Sequence, residues 1–583
     1  MGRFAPGWIT VFLFAGIYCA SAQGPYRLHI LADSAEITSL PFKERFIYRN
    51  RFTDIQARHK EIQRVLLIMY EMGYLAATAD SMGGDSILLK VHINRGIKYT
   101  KTRIRPGNVD LNMLSNSNLK DKLLYDEPFS PRKITALLKK ILTRYENNGY
   151  PFASVSTDSV EISGENISFS IKVDKGPKVL IDSLIISGNA LLKKSFLQGY
   201  LDVKPGQVYN ERQLSRLNAK LRQLPYIQVT QPQRIIFTEP GKANVIIYAK
   251  KVNASRFSGL IGFMPGSAGG RLLITGEADL SLKNTLGYGE QLTLRWRRIR
   301  AGTQSLNAQA TYPYLFGTPL GVNGFFNFFR RDSTFQNIDF GVGVRYMFVG
   351  TNYLELFYKR QISQVIHVAD LPEQALTRSI DYTANNLGLT LNVEKYDYRL
   401  NPTSGYLLNT TLWAGNKTIR KRKDVPPEVY ENIRLNTYQA GGELKADVFI
   451  RLNKRITLKP GILLAHSENP YRFYNELLRM GGINNLRGFD EEGLYLSSYA
   501  FGNVELRYLI EQNSNVYLFF NGGWGERRTT GYYLRDTPYG FGAGMNFFTK
   551  AGIISFAYGL GSQQGQAIRF RDGKIHLGFT GVF

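Results

Sequence analysis

From residue 253 onward the chain alternates apolar and polar residues, stretch after stretch, and the polar half of the alternation is rich in arginine. Between Gln291 and Arg297, Leu292, Leu294 and Trp296 fall on one side of a period-two strand, with Gln291, Thr293, Arg295 and Arg297 on the other. Val342, Val344, Tyr346 and Phe348 repeat the pattern, as do Val504, Leu506 and Tyr508. A row of arginines opposite a continuous apolar row is expensive in hydrocarbon and comfortable in a wet lumen. The pattern therefore predicts a closed transmembrane antiparallel β-barrel over residues 253–583 rather than a soluble sandwich. At roughly 20 residues per strand and connection, that segment holds about 16 strands.

No apolar run long enough to cross a bilayer as a helix follows residue 23, so a helical membrane protein is excluded. Abundant Tyr (35), Phe (35) and Gly (56) suit the barrel instead. The net charge of +26 would fit nucleic acid in a cytosolic protein. Here Arg3, the apolar stretch from Trp8 to Tyr18 and the small residues Ala20-Ser21-Ala22 predict a secretory signal at 1–22, cleaved after Ala22. Nucleic acid is then set aside as a partner in favour of anionic lipid headgroups and lipopolysaccharide phosphates. The only cysteine, Cys19, lies within that signal, so a disulfide framework and a thiolate metal site are both excluded; no cofactor or metal is expected.

The first half repeats itself. Gly73-Tyr74, Gly149-Tyr150 and Pro225-Tyr226 recur 76 residues apart, each closing a helical segment. The helix after Ser130 opens with Pro131 and carries Ile134, Leu137, Leu138, Ile141 and Tyr145 on one face; its counterpart after Asn210 carries Leu214, Leu217, Leu221 and Leu224. In the first copy Ile62, Val65, Leu66 and Met69 fill the role. Two alternating runs follow each helix. The unit reads as strand, helix, helix, strand, strand: a two-layer α+β domain with an open sheet edge, at 23–97, 98–177 and 178–252.

Late in the barrel segment, Gly481-Gly482-Ile483-Asn484-Asn485-Leu486-Arg487-Gly488-Phe489 reads as a loop that doubles back, since glycine accepts positive φ without a steric penalty. An arginine inside a lumen is best met by a carboxylate. Strand parity that sends Val504, Leu506 and Tyr508 to lipid turns Glu505 and Arg507 inward, so Glu505 is the expected partner of Arg487 on the wall. Asp397 with Asn401-Pro402-Thr403-Ser404-Gly405 marks a turn, and Lys417, Arg420, Lys421, Arg422 and Lys423 read as a basic outward loop suited to lipopolysaccharide phosphates. The first barrel strand, near Arg256–Met264, contains Phe257, Gly259, Leu260 and Gly262; the last contains Gly578, Phe579, Gly581 and the terminal Phe583. Glycines on both strands weaken a closing seam, taken here to set Leu260 near Val582.

The Arg-Gly-Phe loop, Glu505, the terminal Phe583 and the three repeats together resemble the BamA/TamA superfamily of outer-membrane assembly and translocation barrels, with POTRA repeats ahead of a surface-antigen-type barrel and a layout nearest TamA. The resemblance implies a Gram-negative outer-membrane protein with its repeats in the periplasm. It also implies a loop folded into the lumen, unfolded outer-membrane proteins as clients, a lateral seam that offers strand edges, and a periplasmic or inner-membrane partner on the repeats. A two-partner-type secretion pore is the alternative. The family often has an aspartate where this chain has Asn521, within Phe519-Phe520-Asn521-Gly522-Gly523, which puts a second acidic partner for the loop in question. Neither Gly-x-Ser-x-Gly nor His-Glu-x-x-His occurs, so an enzyme is not expected.

Overall fold

The computed structural model describes residues 25–33, 35–36, 47–110, 127–239, 241–265, 272–300, 302–348, 351–366, 379–398, 401–425, 427–482, 485–549 and 552–582. The predicted signal at 1–22 and the terminal Phe583 lie outside them, as do Ile483 and Asn484 of the loop.

Two compact units emerge, one of residues 1–179 with 208–212 and one holding the remainder. In the first unit, Tyr26–Ala32 runs parallel to Leu88–Asn94, which pairs antiparallel with Thr78–Gly84. The helix Ile55–Glu71 begins where Asp54 accepts a hydrogen bond from the Ala57 amide at 2.6 Å, and buries Ile62, Val65 and Met69 against that sheet. Lys101–Arg105, Asn166–Asp174 and Ser154–Ser163 repeat the same sheet order. Their helix, Pro131–Glu146, is capped by Ser130 and buries Leu137, Ile141 and Tyr145.

The third copy, in the second unit, has the same order again: Leu180–Ser187 parallel to Lys242–Lys251, and Ile227–Glu239 antiparallel to it. The first of the two helices expected in the first and second copies falls in 37–46 and 111–126, outside the described residues, and Arg51–Phe52 is a short strand against Tyr26 and Arg27. One expectation changes in the third copy. The helix expected after Asn210 is broken into Glu211–Leu214 and Leu217–Leu221, because the Arg216 amide bonds the Gln213 carbonyl three residues back, which tightens the chain at that point. Leu214, Leu217, Leu221 and Leu224 stay buried across the break.

The rest of the second unit is a closed antiparallel barrel. Among the described residues it has 17 strand segments. Tyr532–Asp536 and Tyr539–Thr549 lie end to end on Ser514–Thr529, one continuing the other past Pro538, which makes sixteen staves. Leu292, Leu294, Trp296, Val342, Val344, Tyr346, Val504, Leu506 and Tyr508 are exposed on the outside, as their parity predicts, while Glu505 and Arg345 are buried within. An apolar belt of this extent is the surface a bilayer covers.

The third repeat marks one end of the barrel. Phe196 and Tyr200, on the helix Lys194–Leu201, pack edge-on against Tyr314 in a barrel turn, each at 5.7 Å between ring centres. The Asn284 amide donates to the Leu191 carbonyl at 2.7 Å. The long connection between Ile456–Glu468 and Ser498–Glu511 leaves from the opposite, distal end.

Candidate functional site: lumenal loop and lateral seam

That connection turns back on itself as a miniature hairpin, Leu478–Met480 paired with Leu494–Leu496, and the motif lies at its tip. Gly481, Gly482 and Gly488 have φ of 115°, 102° and 91°, values that side-chain-bearing residues rarely adopt. Leu486 and Phe489 are buried with Met480, Leu496 and Phe501 in a small apolar cluster that anchors the tip.

Arg487 meets its predicted partner: Nη1 lies 2.8 Å from Oε2 of Glu505. The other carboxylate oxygen accepts from Nε of Arg507, so Glu505 serves two guanidiniums. The Arg487 guanidinium also lies 4.8 Å from the ring centre of Phe519 and 5.1 Å from that of Tyr517, aromatic faces that stabilise a shielded cation. Asn521 acts on the backbone instead. The Arg487 amide donates to its Oδ1 at 3.2 Å, and its Nδ2 donates to the Arg487 carbonyl at 3.1 Å. A carboxylate there would make the first bond and repel the second, so an asparagine is the side chain that fits.

Three further residues complete the site. A Cβ at Gly540 would sit 2.3 Å from the Arg487 carbonyl oxygen, one at Gly559 2.9 Å from the Gly488 nitrogen, and one at Gly561 2.5 Å from the Gly488 oxygen. The loop backbone thus lies directly on wall backbone. Gly540, Gly542 and Gly544 alternate on one strand and Gly559 and Gly561 on the next, a pattern that marks bare strand faces without saying what lies on them.

The seam is the other half of the site. Arg256–Pro265 pairs with its neighbour Leu272–Lys283 at ten positions, yet with the last strand, Lys574–Val582, at only two among the described residues: Arg256 with Val582 and Phe257 with Gly581. Continuing that register would set Ser258 opposite Thr580 and Met264 opposite Lys574. Ladder pairing across the seam is therefore confined, among the described residues, to the end bearing the third repeat, and Gly259, Leu260 and Gly262 have ladder partners on the Leu272–Lys283 side alone. Leu260 does not meet Val582; its partner is Glu277. Gly578 and Phe579 pair with Ser555 and Ile554. Phe257 and Phe579 are exposed on the outer face. A Cβ at Gly259 or Gly578 would approach nothing closer than 3.7 Å, so bare surface rather than crowding distinguishes these glycines.

Lys417 departs from expectation. It faces inward near the end of Gly405–Ile419, fully buried, its Nζ donating to the Tyr471 carbonyl at 2.7 Å and paired with Glu476 on the fold-back connection. Strand parity continues further than the charge run suggested.

An Omp85 superfamily domain matches residues 284–575, half of the chain. The chain belongs to the Omp85 superfamily. Within this Omp85 protein, residues 98–176 and 179–250 each match the surface antigen variable number repeat, or POTRA. Among solved structures, CdiB from Escherichia coli aligns with a TM-score of 0.55 and 15% identity over 91% of this chain and 98% of that one. CdiB from Acinetobacter baumannii gives 0.53 and 12% over 84% and 90%. BamA from Haemophilus ducreyi lacking POTRA domains 1-3 gives 0.44 and 16% over 84% and 100%. At these identities the likeness to the CdiB structures is one of fold.

Proposed function

We propose that this Omp85 protein is an outer-membrane assembly factor that folds client β-barrel proteins, or translocates them, through the seam between its first and last strands. The observation that carries the reading is the contrast of two paired positions at the seam with ten on the neighbouring side of the same strand. A strand with unpaired N–H and C=O groups is a template for an incoming strand. Templating makes and breaks only backbone hydrogen bonds, so it needs no cofactor. The Arg487 loop occupies the lumen and is tied to the wall through Glu505 and Asn521, and its role in this reading is to brace the wall while the seam moves.

The apolar belt and the POTRA repeats support a Gram-negative outer membrane, with the repeats in the periplasm. Their division at 23–97, 98–177 and 178–252, ahead of a barrel at 253–583, is part of the proposal, as are unfolded outer-membrane proteins as clients and a periplasmic or inner-membrane partner on the repeats. Arg420, Lys421, Arg422 and Lys423, between Gly405–Ile419 and Asn436–Arg451, are the residues assigned to lipopolysaccharide contact.

The test is a disulfide between Phe257→Cys and Gly581→Cys, which the register sets opposite each other. In liposomes with an unfolded barrel protein, the reduced form accelerates client folding and the oxidised form does not. If oxidation leaves folding unchanged, the seam is not the route. If the liposomes simply become permeable in both states, a secretion pore that works through its lumen takes its place.

A further inference from the structure

Behind the open part of the seam lies a row of charges. Leu260 pairs with Glu277, and Glu277 with Arg297 on the next strand, so one transverse row runs from the unpaired edge to Arg297. Arg297 Nε lies 3.4 Å from Glu277 Oε1, and its Nη1 lies 3.1 Å from Oε1 of Glu491, on the fold-back loop. The residue before Glu491 reaches the other flank: Asp490 Oδ1 lies 2.8 Å from Nζ of Lys574, the first residue of the last strand. Two adjacent loop residues therefore hold opposite sides of the stretch in which strand pairing is missing.

The two arms differ in strength. The Arg297 and Glu491 side chains are 11% and 25% exposed, whereas Lys574 and Asp490 are 41% and 70% exposed. Ion pairs shielded from water are screened less than exposed ones, so the Arg297 arm is the firmer. The double glycine makes room for it. A Cβ at Gly482 would fall 1.7 Å from Oε2 of Glu491, and one at Gly481 2.3 Å from the Asp490 carbonyl oxygen. Any side chain at position 482 would displace the carboxylate that faces Arg297.

We propose that Asp490 and Glu491 with Lys574 and Arg297 form an electrostatic latch, which holds the distal seam shut from inside where backbone hydrogen bonds do not. The inference rests on the lateral-seam reading. A row of strand hydrogen bonds opens only cooperatively, while two ion pairs release singly as the Asp490 and Glu491 side chains swing away from a loop that stays seated through Arg487; the fold-back loop thereby sets when the last strand is free to move.

The experiment uses the full chain with Cys19 replaced, in liposomes, carrying spin labels at Ser258→Cys and Phe579→Cys. Pulsed electron resonance reads the distance across the seam in Glu491→Arg, Arg297→Glu and the double exchange, with Glu491→Gln as a milder variant should a reversal fail to fold. Each single reversal raises the longer-distance population about tenfold, the factor expected from one charge-assisted contact, and Glu491→Gln raises it less. The double exchange restores the original distribution only in part, because Glu277 and Glu492 also face position 297, at 3.4 and 3.7 Å. Unchanged distances in the single variants, or no recovery at all in the double, overturn the latch. Client folding is not part of this readout: a latch that behaves as described in a protein that folds no client leaves the latch standing and removes the assembly function.

Discussion

Two glycine-rich regions of the barrel use the same residue to opposite ends. Around the loop tip, Gly488, Gly540, Gly559 and Gly561 are positions where a Cβ would come within 3 Å of neighbouring backbone. Glycine is there the condition for backbone to lie on backbone, and the result is tight packing. At the seam, Gly259 and Gly578 have room for a side chain and lack one. The result is an edge with little to hold its partner. Tightness at the loop and looseness at the seam stand on one wall; in the proposed function the seam moves while the loop stays seated.

The largest effect separates these two kinds of glycine. Gly540→Ala drives a methyl into the Arg487 carbonyl and destabilises the loop by about 3 kcal/mol, the upper range for overpacking. Gly259→Ala and Gly578→Ala change stability by less than about 0.5 kcal/mol. Denaturation in detergent, with tryptic cleavage after Arg487 as the report on loop release, measures both; a seam alanine as harmful as the cradle alanine would collapse the distinction. Next comes Glu505→Gln, which removes the charge shared by Arg487 and Arg507 and weakens loop anchorage by about 2 kcal/mol. Asn521→Asp, which loses one of two backbone bonds, has about half that effect. Equal cleavage rates in the two variants would remove Glu505 from its assigned role.

The smallest effect is at the turn that the Asp397 motif predicted. Burial pushes the Asp397 carboxyl upward, but hydrogen bonds from the Thr403 hydroxyl and the Ser404 and Thr403 amides outweigh it and bring the pKa to about 2, below the ordinary 3.8. The Thr403 and Ser404 amides donate at 2.9 and 3.0 Å, and Arg451 lies 2.6 Å away. Because the folded value is depressed, the stabilisation is complete above pH 3.8 and is lost as pH falls toward about 2. The protection of the Asn401, Thr403, Ser404 and Gly405 amides, measured against intrinsic exchange at each pH, falls only in that window, and Asp397→Asn abolishes the dependence; loss of protection already at pH 6 would contradict it.

Much of the molecule was legible in the sequence because its signals are local and periodic. Alternation assigned the lipid-facing residues and, by parity, turned Glu505 toward Arg487. Helical spacing found the repeats. What escaped depends on distant chain. The glycine cradle exists because loop backbone arrives from about 50 to 70 residues away, which no local pattern records. The closing register, with Arg256 rather than Leu260 opposite Val582, is set by the stagger accumulated around the whole barrel. Lys417 looked like part of a solvated basic run; its partner Glu476 belongs to the fold-back connection and meets it only in the folded lumen.

Hydrogen exchange of the full chain in a bilayer tests the central claim most directly. In an antiparallel ladder alternate amides point to opposite neighbours, so the account predicts that every second amide from Ser258 to Met264 exchanges quickly. The amides between them, and that of Arg487, remain protected. Protection at every position from Ser258 to Met264, equal to that of the Tyr382–Tyr396 ladder with Gly405–Ile419, would mean that the barrel is sealed at its seam and would contradict the account.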